Sequence, residues 1–203
     1  MMHYYVIADT HFYHKNVIKY SSRPFKDVSE MNETLIKKWN AVVKSDDDIV
    51  FVLGDFSLTG KKLTSEIVKR LRGRKVLIMG NHDSKKPKYY IECGFNSATH
   101  YPILFENKFI LSHIPLPLDK ISDNYIYIYG HVHNKPSHLD SFLNCICVSV
   151  ERMNYEPVLL DEKTLYEKNL AYQLNVGIKE AKENKLKTGK EVMKEIKDKH
   201  NFY

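Results

Sequence analysis

The stretch YYVIADTH, residues 4–11, joins a run of aromatic and β-branched residues to an acid and an imidazole. The run predicts a β-strand over residues 4–8, because such side chains favour the pleated backbone. Asp9 and His11 follow directly at the end of that strand. Four further motifs also place an acid, an amide or an imidazole after such a run: Gly54-Asp55, Gly80-Asn81-His82-Asp83, His113 and Gly130-His131-Val132-His133.

Each of these motifs follows a predicted strand, so the chain delivers its polar side chains to one edge of a sheet. The predicted strands cover residues 4–8, 49–53, 76–79, 109–112, 125–129, 145–150 and 158–160. Carboxylate oxygens and neutral imidazole nitrogens together suit Mn, Fe, Zn, Co or Ni better than the all-oxygen shell that Ca or Mg prefers. The sequence therefore predicts a metal site at this edge.

Helical patterns lie between the early strands. Apolar residues recur at helical spacing over residues 31–43, and Asp27 and Glu30 precede them in a capping-box arrangement. Further helices are predicted at 65–71 and near 88–93. Early strand-helix-strand units predict an α/β sheet, and the later strands, with no helices between them, predict a more antiparallel half. Two sheets packed face to face with helices outside satisfy both patterns.

Length and composition predict one catalytic domain and an appended tail. The chain has 203 residues, of which 43% are hydrophobic, enough for a sizeable core over residues 1–164. After Leu165, Lys, Glu and Asn dominate, which predicts a C-terminal helical extension over 165–203. Three roles stay open for it: packing on the surface of its own domain, forming a homodimer or docking a partner, and binding nucleic acid.

The charge and hydropathy pattern limit the class of partner. A formal net charge of +6 favours anionic partners such as phosphoesters, but the basic residues are dispersed among acids and do not establish nucleic-acid binding. No apolar run approaches a membrane span, and the first strand begins too early for a signal peptide. We therefore expect a cytoplasmic protein with no membrane partner.

The five motifs together resemble the calcineurin-like metallophosphoesterase superfamily, whose signature runs D-x-H, G-D, G-N-H-[DE], H and G-H-x-H. All five blocks are intact, and the resemblance spans residues 4–160. The flanking residues 11–16, 23–25 and 155–158 further resemble the small stand-alone phosphoesterases of bacteria and their phages. The resemblance implies an α/β fold, a four-layer α-β-β-α sandwich of two mixed sheets with the metal site at the C-terminal ends of strands.

The resemblance also implies two divalent metal ions, with Mn2+ favoured and Fe, Zn, Ni, Co and Mg as alternatives. Asp9, His11, Asp55 and His133 would hold the first ion, and Asn81, His113 and His131 the second, with Asp55 bridging the two. His82 would face the substrate and give a proton to the departing oxygen, while Asp83 would orient His82 and raise its pKa. Candidate substrate contacts are His14, Asn16 and Arg23, each with a loop-structural or solvent-facing role as the alternative.

The implied activity is hydrolysis of a phosphomonoester or phosphodiester by direct attack of metal-bound hydroxide. A small nucleotide or cyclic nucleotide is favoured as substrate. The alternative enzyme is a nuclease acting on DNA or RNA, but the chain lacks the length for the capping domain of the larger DNA-repair phosphoesterases. The alternative from another class is a non-catalytic binding module, although no ligand position of the motif set is missing.

Overall fold

In the computed structural model, which describes residues 2–117, 119 and 121–183, the strands form two sheets. The strands are β1 (Tyr4–Ile7), β2 (Ile49–Val52), β3 (Arg74–Ile78), β4 (Ser97–Thr99), β5 (Ile103–Phe105), β6 (Phe109–Leu111), β7 (Ile126–Tyr129), β8 (Cys145–Cys147) and β9 (Val158–Leu159). The helices are α1 (Val17–Tyr20), α2 (Val28–Val42), α3 (Lys61–Arg70), α4 (Pro87–Glu92) and α5 (Glu162–Lys182), with a 3-10 helix at His138–Ser141.

Both sheets are mixed. The first has the order β4-β3-β2-β1-β9 and the second β5-β6-β7-β8. In the first sheet, β1 to β4 pair in parallel and β9 joins β1 antiparallel, in a register that sets Tyr4 opposite Ile49 and Tyr5 opposite Leu159. The second sheet has one antiparallel pair, β5 with β6, followed by two parallel pairs.

The predicted two-sheet α/β sandwich is confirmed. Both antiparallel pairs involve later strands, β5 with β6 and β9 with β1, as the prediction of a more antiparallel later half requires, but β6, β7 and β8 pair in parallel. Parallel neighbours need a crossover of a dozen or more residues, and that crossover need not be an α-helix. Here the segment between β6 and β7 and the segment between β7 and β8, which contains the 3-10 helix, supply it. The sequence pattern did not predict the short segments α1, β4 and β5, because three or four residues carry too little periodicity.

Three apolar clusters define the layers. One joins the outer face of the first sheet to α2 and α3 and includes Trp39, Leu35 and Ile67. The second lies between the two sheets, where Val6 and Phe51 of the first sheet meet Ile128 of the second. The third covers the outer face of the second sheet with loops and the 3-10 helix. The fourth layer of the sandwich is therefore built without a long α-helix among the described residues.

The capping prediction holds for α2, which begins three residues earlier than the apolar pattern does. The Asp27 carboxylate accepts a hydrogen bond from the Glu30 backbone N–H at 2.9 Å, and the Glu30 carboxylate accepts one from the Lys26 N–H. The first contact satisfies an N–H group that a helix start leaves unpaired, and the second ties the residue before the N-cap to the first turn of the helix. The loop after β1 is thereby tied to a well-defined helix.

Contacts divide the chain after Asn169 into two units. Helix α5 begins in the first unit, where Leu165 is fully buried with the residues between the sheets. The extension over 165–203 stays a prediction, and its residues 184–203 lie outside the described part of the chain. Among the helices that the structure describes, none is long and apolar enough to cross a membrane.

Candidate metal centre

Loops that follow the strands bring the motif residues to one edge of the molecule. Asp9 and His11 follow β1, Asp55 follows β2, Asn81 follows β3, His113 follows β6, and His131 and His133 follow β7. Backbone hydrogen bonds join these loops: the N–H of Asp9 donates to the Gly54 carbonyl at 3.1 Å, and that of His11 to the Asp55 carbonyl at 2.9 Å. The predicted clustering of the motifs is therefore present.

Five motif residues at this edge have strained backbone conformations. Positive φ angles occur at Asp9 (59°), His11 (51°), Asp55 (53°), His131 (71°) and His133 (54°). Residues with a Cβ rarely adopt this left-handed region, and each such residue costs on the order of 1 kcal/mol or more. The hydrogen bonds between the loops hold these residues in conformations that turn their side chains toward a common centre.

Two motif glycines are required by close approach of other groups. A Cβ at Gly80 would lie 2.2 Å from the Asp55 Oδ1, and a Cβ at Gly130 would lie 2.7 Å from the Asp9 Oδ2. Neither has a positive φ, so close packing, and not a left-handed backbone conformation, requires glycine at these two positions. Each glycine leaves the space that a carboxylate occupies.

Asp9, His11 and His133 form the first group of donor atoms, which all lie within 4.8 Å of one another. The Asp9 Oδ2 accepts hydrogen bonds from the His131 N–H at 2.8 Å and from the Ser149 hydroxyl at 2.6 Å. The Asp9 Oδ1 and the His11 Nε2 are buried and find no hydrogen-bond partner among the described residues. Buried polar atoms are normally paired, so these two fit a bound cation.

Asp55, His113 and His131 form the second group, again within 4.8 Å. The His113 Nδ1 lies 2.9 Å from the Leu53 carbonyl, which makes Nδ1 the protonated nitrogen and leaves the Nε2 lone pair free to bind a metal. The Asn81 Oδ1 lies 2.9 Å from both the His113 Nε2 and the His131 Nδ1. These atoms offer nitrogen and oxygen donors around one point.

The Asp55 carboxylate lies between the two groups. Its Oδ2 is 3.6 Å from the His11 Nε2 and 3.6 Å from the His113 Nε2. Its Oδ1 accepts a hydrogen bond from the His82 backbone N–H at 2.9 Å. One oxygen of Asp55 is therefore fixed by the backbone, while the other faces imidazoles of both groups.

Burial controls the protonation of two members of the first group, Asp9 and His11. It raises the pKa of Asp9 to about 6, against the lowering effect of His133 and His113. Burial, with His133 and Arg23 nearby, lowers the pKa of His11, so its imidazole is neutral at physiological pH. A neutral imidazole beside a carboxylate whose charge is poorly solvated is a donor set that a cation would stabilise.

His82 and Asp83 are placed differently from each other. His82 is exposed and lines a cavity of about 340 Å³. The Asp83 carboxylate is buried, and it accepts hydrogen bonds from the backbone N–H groups of Asp55, Phe56 and Gly80. Asp83 therefore does not make the expected contact with the His82 imidazole, and it binds two motif loops together instead. Burial raises the pKa of Asp83 to about 6.

The three candidate substrate contacts lie in different environments. His14 lines the cavity, and Asn16 is exposed at the start of α1. The Arg23 side chain is fully buried and donates to the carbonyl oxygens of Asp9 and Thr10 at 2.7 and 2.9 Å. This geometry does not support the expected contact of Arg23 with phosphate, because its guanidinium lies beneath the site and is already engaged.

Sequence reasoning missed Glu151. This residue is buried beside the site: its Oε1 lies 2.8 Å from both the His133 Nδ1 and the Arg23 guanidinium. Although burial opposes its ionisation, the hydrogen bond from His133 and the charge of Arg23 hold the pKa of Glu151 below its usual value. Its position just after the predicted strand 145–150 was the available signal, since the motif residues also follow strands.

A family model for calcineurin-like phosphoesterases matches residues 2–145. An uncharacterized protein of Methanocaldococcus jannaschii is 43% identical over 165 residues, which cover 77% of this chain and 86% of that protein. The Gene 66 protein of Mycobacterium phage L5 is 33% identical over 119 residues, 55% of this chain and 53% of that protein. The crystal structure of a protein of unknown function from Aquifex aeolicus has a TM-score of 0.62 at 28% identity, covering 78% of this chain and 96% of that one.

Proposed function

The chain belongs to the calcineurin-like phosphoesterase family, a superfamily of metal-dependent phosphoester hydrolases, and from that premise we propose that it hydrolyses a phosphomonoester or phosphodiester of a small nucleotide, cyclic nucleotides included. The observation that carries the proposal is the pair of buried, unpartnered atoms in the first donor group, the Asp9 Oδ1 and the His11 Nε2. They lie beside a second donor group that shares the Asp55 carboxylate with the first.

We assign Asp9, His11, Asp55 and His133 to one divalent cation and Asn81, His113 and His131, with Asp55, to a second. Mn2+ fits the mixture of carboxylate, amide and imidazole donors, and Fe, Zn, Co and Ni fit it by the same criterion. When bound, these cations would activate a water as the nucleophile and neutralise charge on the phosphoryl oxygens.

His82 is assigned to the leaving group. Its imidazole lines the cavity, and its backbone N–H is held by Asp55, so the side chain starts from a fixed point beside the metal ligands. A proton delivered from its ring would favour departure of an alkoxide, which is a poor leaving group. Asp83 acts through the backbone, because it holds the loops that carry Asp55 and Asn81.

The size of the cavity supports a small substrate. A volume of about 340 Å³ matches the lower range of ligand pockets, about 300–1,000 Å³. His14 lines it beside His82 and is assigned to contact with the substrate. A cytoplasmic location and a homodimer through the C-terminal helices stay predictions.

Metal content tests the ligand assignment. Asp55→Asn should lower the occupancy of both cation sites and abolish turnover, because Asp55 is assigned to both. His82→Ala is the matched control and should retain both cations. Elemental analysis of the two purified variants decides, and two tightly held metals per chain in Asp55→Asn would refute the shared role.

Leaving-group dependence tests His82. A p-nitrophenolate departs readily without a proton, whereas a ribose alkoxide does not. His82→Ala should therefore lose at least about tenfold more kcat/KM on a nucleotide than on a p-nitrophenyl ester. Equal losses on the two esters, with metal content confirmed, would show that His82 serves the phosphoryl group and not the leaving oxygen.

A further inference from the structure

We propose that Tyr20 and Lys135 determine which substrate enters the cavity, and that they select a nucleotide with a second phosphoryl group besides the one that is cleaved. Tyr20 would stack on the nucleobase, and Lys135 would pair with the second phosphate. The inference rests on the proposed function and goes beyond it, because neither residue belongs to the five motifs. Both side chains line the cavity that His82 faces.

The two residues sit on neighbouring segments of the cavity rim. Tyr20 is the last residue of α1, and Lys135 lies two residues after the metal-ligand candidate His133. The Asn134 side-chain amide donates to the Ser21 carbonyl at 3.0 Å, which joins these segments directly. One ligand can therefore contact both side chains.

Tyr20 has the features of a stacking residue. It is 72% exposed and lies beside a polar site. Packing in the core therefore does not explain why an aromatic ring stands there. Its ring is within 6.4 Å of the His14 ring in an edge-on orientation, so the two rings border one part of the cavity. Aromatic side chains in grooves that bind nucleic acid commonly stack on bases.

Lys135 supplies the positive charge of the rim. Among the described residues that line the cavity, it is the one with a permanent positive charge, since the others there are imidazoles, Asp55 and uncharged groups. Charge on the phosphoryl group that is cleaved would be neutralised by the assigned cations. An ammonium at the rim is therefore available for a second anionic group, and Lys binds phosphate as a point charge.

The Lys135 backbone is fixed by a buried arginine. The Arg152 guanidinium donates to the carbonyls of His133 at 2.8 Å and Lys135 at 2.7 Å, and it pairs with the Asp140 carboxylate at 2.6 Å. The same clamp thus holds a metal-ligand candidate and the rim lysine. This arrangement fixes the backbone from which the Lys135 side chain extends relative to that of His133.

The test compares substrates that differ by one phosphoryl group. The dinucleotide ApA and its 5′-phosphorylated form pApA serve for diester cleavage, and adenosine 3′-monophosphate and adenosine 3′,5′-bisphosphate serve for monoester cleavage. Wild type with Mn2+ should prefer the member with two phosphoryl groups in kcat/KM. Lys135→Gln should reduce that preference about tenfold, chiefly through KM.

Tyr20 is tested with a pair of variants. Tyr20→Ser should raise KM for both members of the substrate pair about tenfold, while Tyr20→Phe, which keeps the ring, should restore the wild-type KM. Lys19→Gln and Tyr101→Leu are the matched controls, since both residues are exposed and lie outside the cavity lining. The controls should leave the preference and KM unchanged.

The outcomes separate the inference from the function on which it rests. If Lys135→Gln and Lys19→Gln change the preference equally, or if wild type shows none, the phosphate subsite is refuted. A Tyr20→Ser enzyme with wild-type KM refutes the stacking role. If wild type with Mn2+ cleaves neither these esters nor bis-p-nitrophenyl phosphate, the proposed function itself fails.

Discussion

Replacing Glu151 with glutamine tests whether the buried ion pair beneath the metal centre stabilises both the fold and the site. The Arg23 side chain is 0% exposed and that of Glu151 is 3% exposed. Glu151→Gln keeps the shape but removes the negative charge, so the Arg23 guanidinium is left without its ionic partner. It also weakens the contact that fixes the His133 ring, whose Nδ1 lies 2.8 Å from Glu151.

The magnitude follows from what Arg23 retains. Breaking a buried pair by removing one partner costs about 3–5 kcal/mol. Arg23 keeps its hydrogen bonds to the carbonyls of Asp9 and Thr10, so we take the lower end. A loss of about 3 kcal/mol corresponds to a fall in Tm of about 6–12 °C for a chain of this size. Loss of an outer partner of a ligating histidine should also weaken metal binding about 10- to 100-fold.

The chain offers a matched control in the Arg70–Glu33 pair. This pair has similar geometry, with contacts of 2.8 and 2.6 Å, but its side chains are 47% and 59% exposed. Glu33→Gln should therefore cost less than about 1 kcal/mol. Urea denaturation of the metal-free proteins and metal titration of the folded ones are the assays.

Acidification provides a second readout for Glu151. Its pKa is lower in the folded than in the unfolded chain, so the stability that its charge contributes is present above its ordinary pKa and is lost as the pH falls through the folded value. The difference between wild type and Glu151→Gln should shrink accordingly. Equal destabilisation by Glu151→Gln and Glu33→Gln at neutral pH would refute the reasoning.

Three further predictions concern packing and buried charge. Gly80→Ala should abolish binding of the cations, because its Cβ would meet the Asp55 Oδ1 at 2.2 Å, while Gly60→Ala, with nothing within 4 Å, should keep them in elemental analysis. Asp83→Asn should cost about 1–3 kcal/mol in urea denaturation, since an amide NH2 would face backbone donors; an unchanged midpoint would contradict its role between the loops. Burial lowers the pKa of Lys75 to about 8 from 10.5, so the unfolded chain binds more protons between those values and stability should rise with pH there. Lys75→Met should flatten that rise by about 1–3 kcal/mol, measured as the difference from wild type between pH 7.5 and pH 10.

Much of the fold could be predicted because its information is local. A strand pattern, or a cap such as that of Asp27 and Glu30, can be recognised from residues that are close together in the chain. The helix begins directly after the N-cap Asp27. The parallel pairing of β6, β7 and β8 could not be predicted, because no α-helix among the described residues marks either crossover. The short strand β4 was missed since Ser-Ala-Thr has no apolar alternation.

The sequence by itself determined which chemical groups gather at the sheet edge, since each motif is a strand end followed by an acid, amide or imidazole. Only the tertiary structure decided which partner is bound by a side chain that can bind several kinds of group. Arg23 suits phosphate, carboxylate or carbonyl oxygen equally well by type, and it binds Glu151, which is 128 positions away along the chain. Asp83 likewise binds backbone N–H groups and not its neighbour His82. The physical reason is that a side chain's type limits its partners, whereas burial and the distances between remote segments select among them.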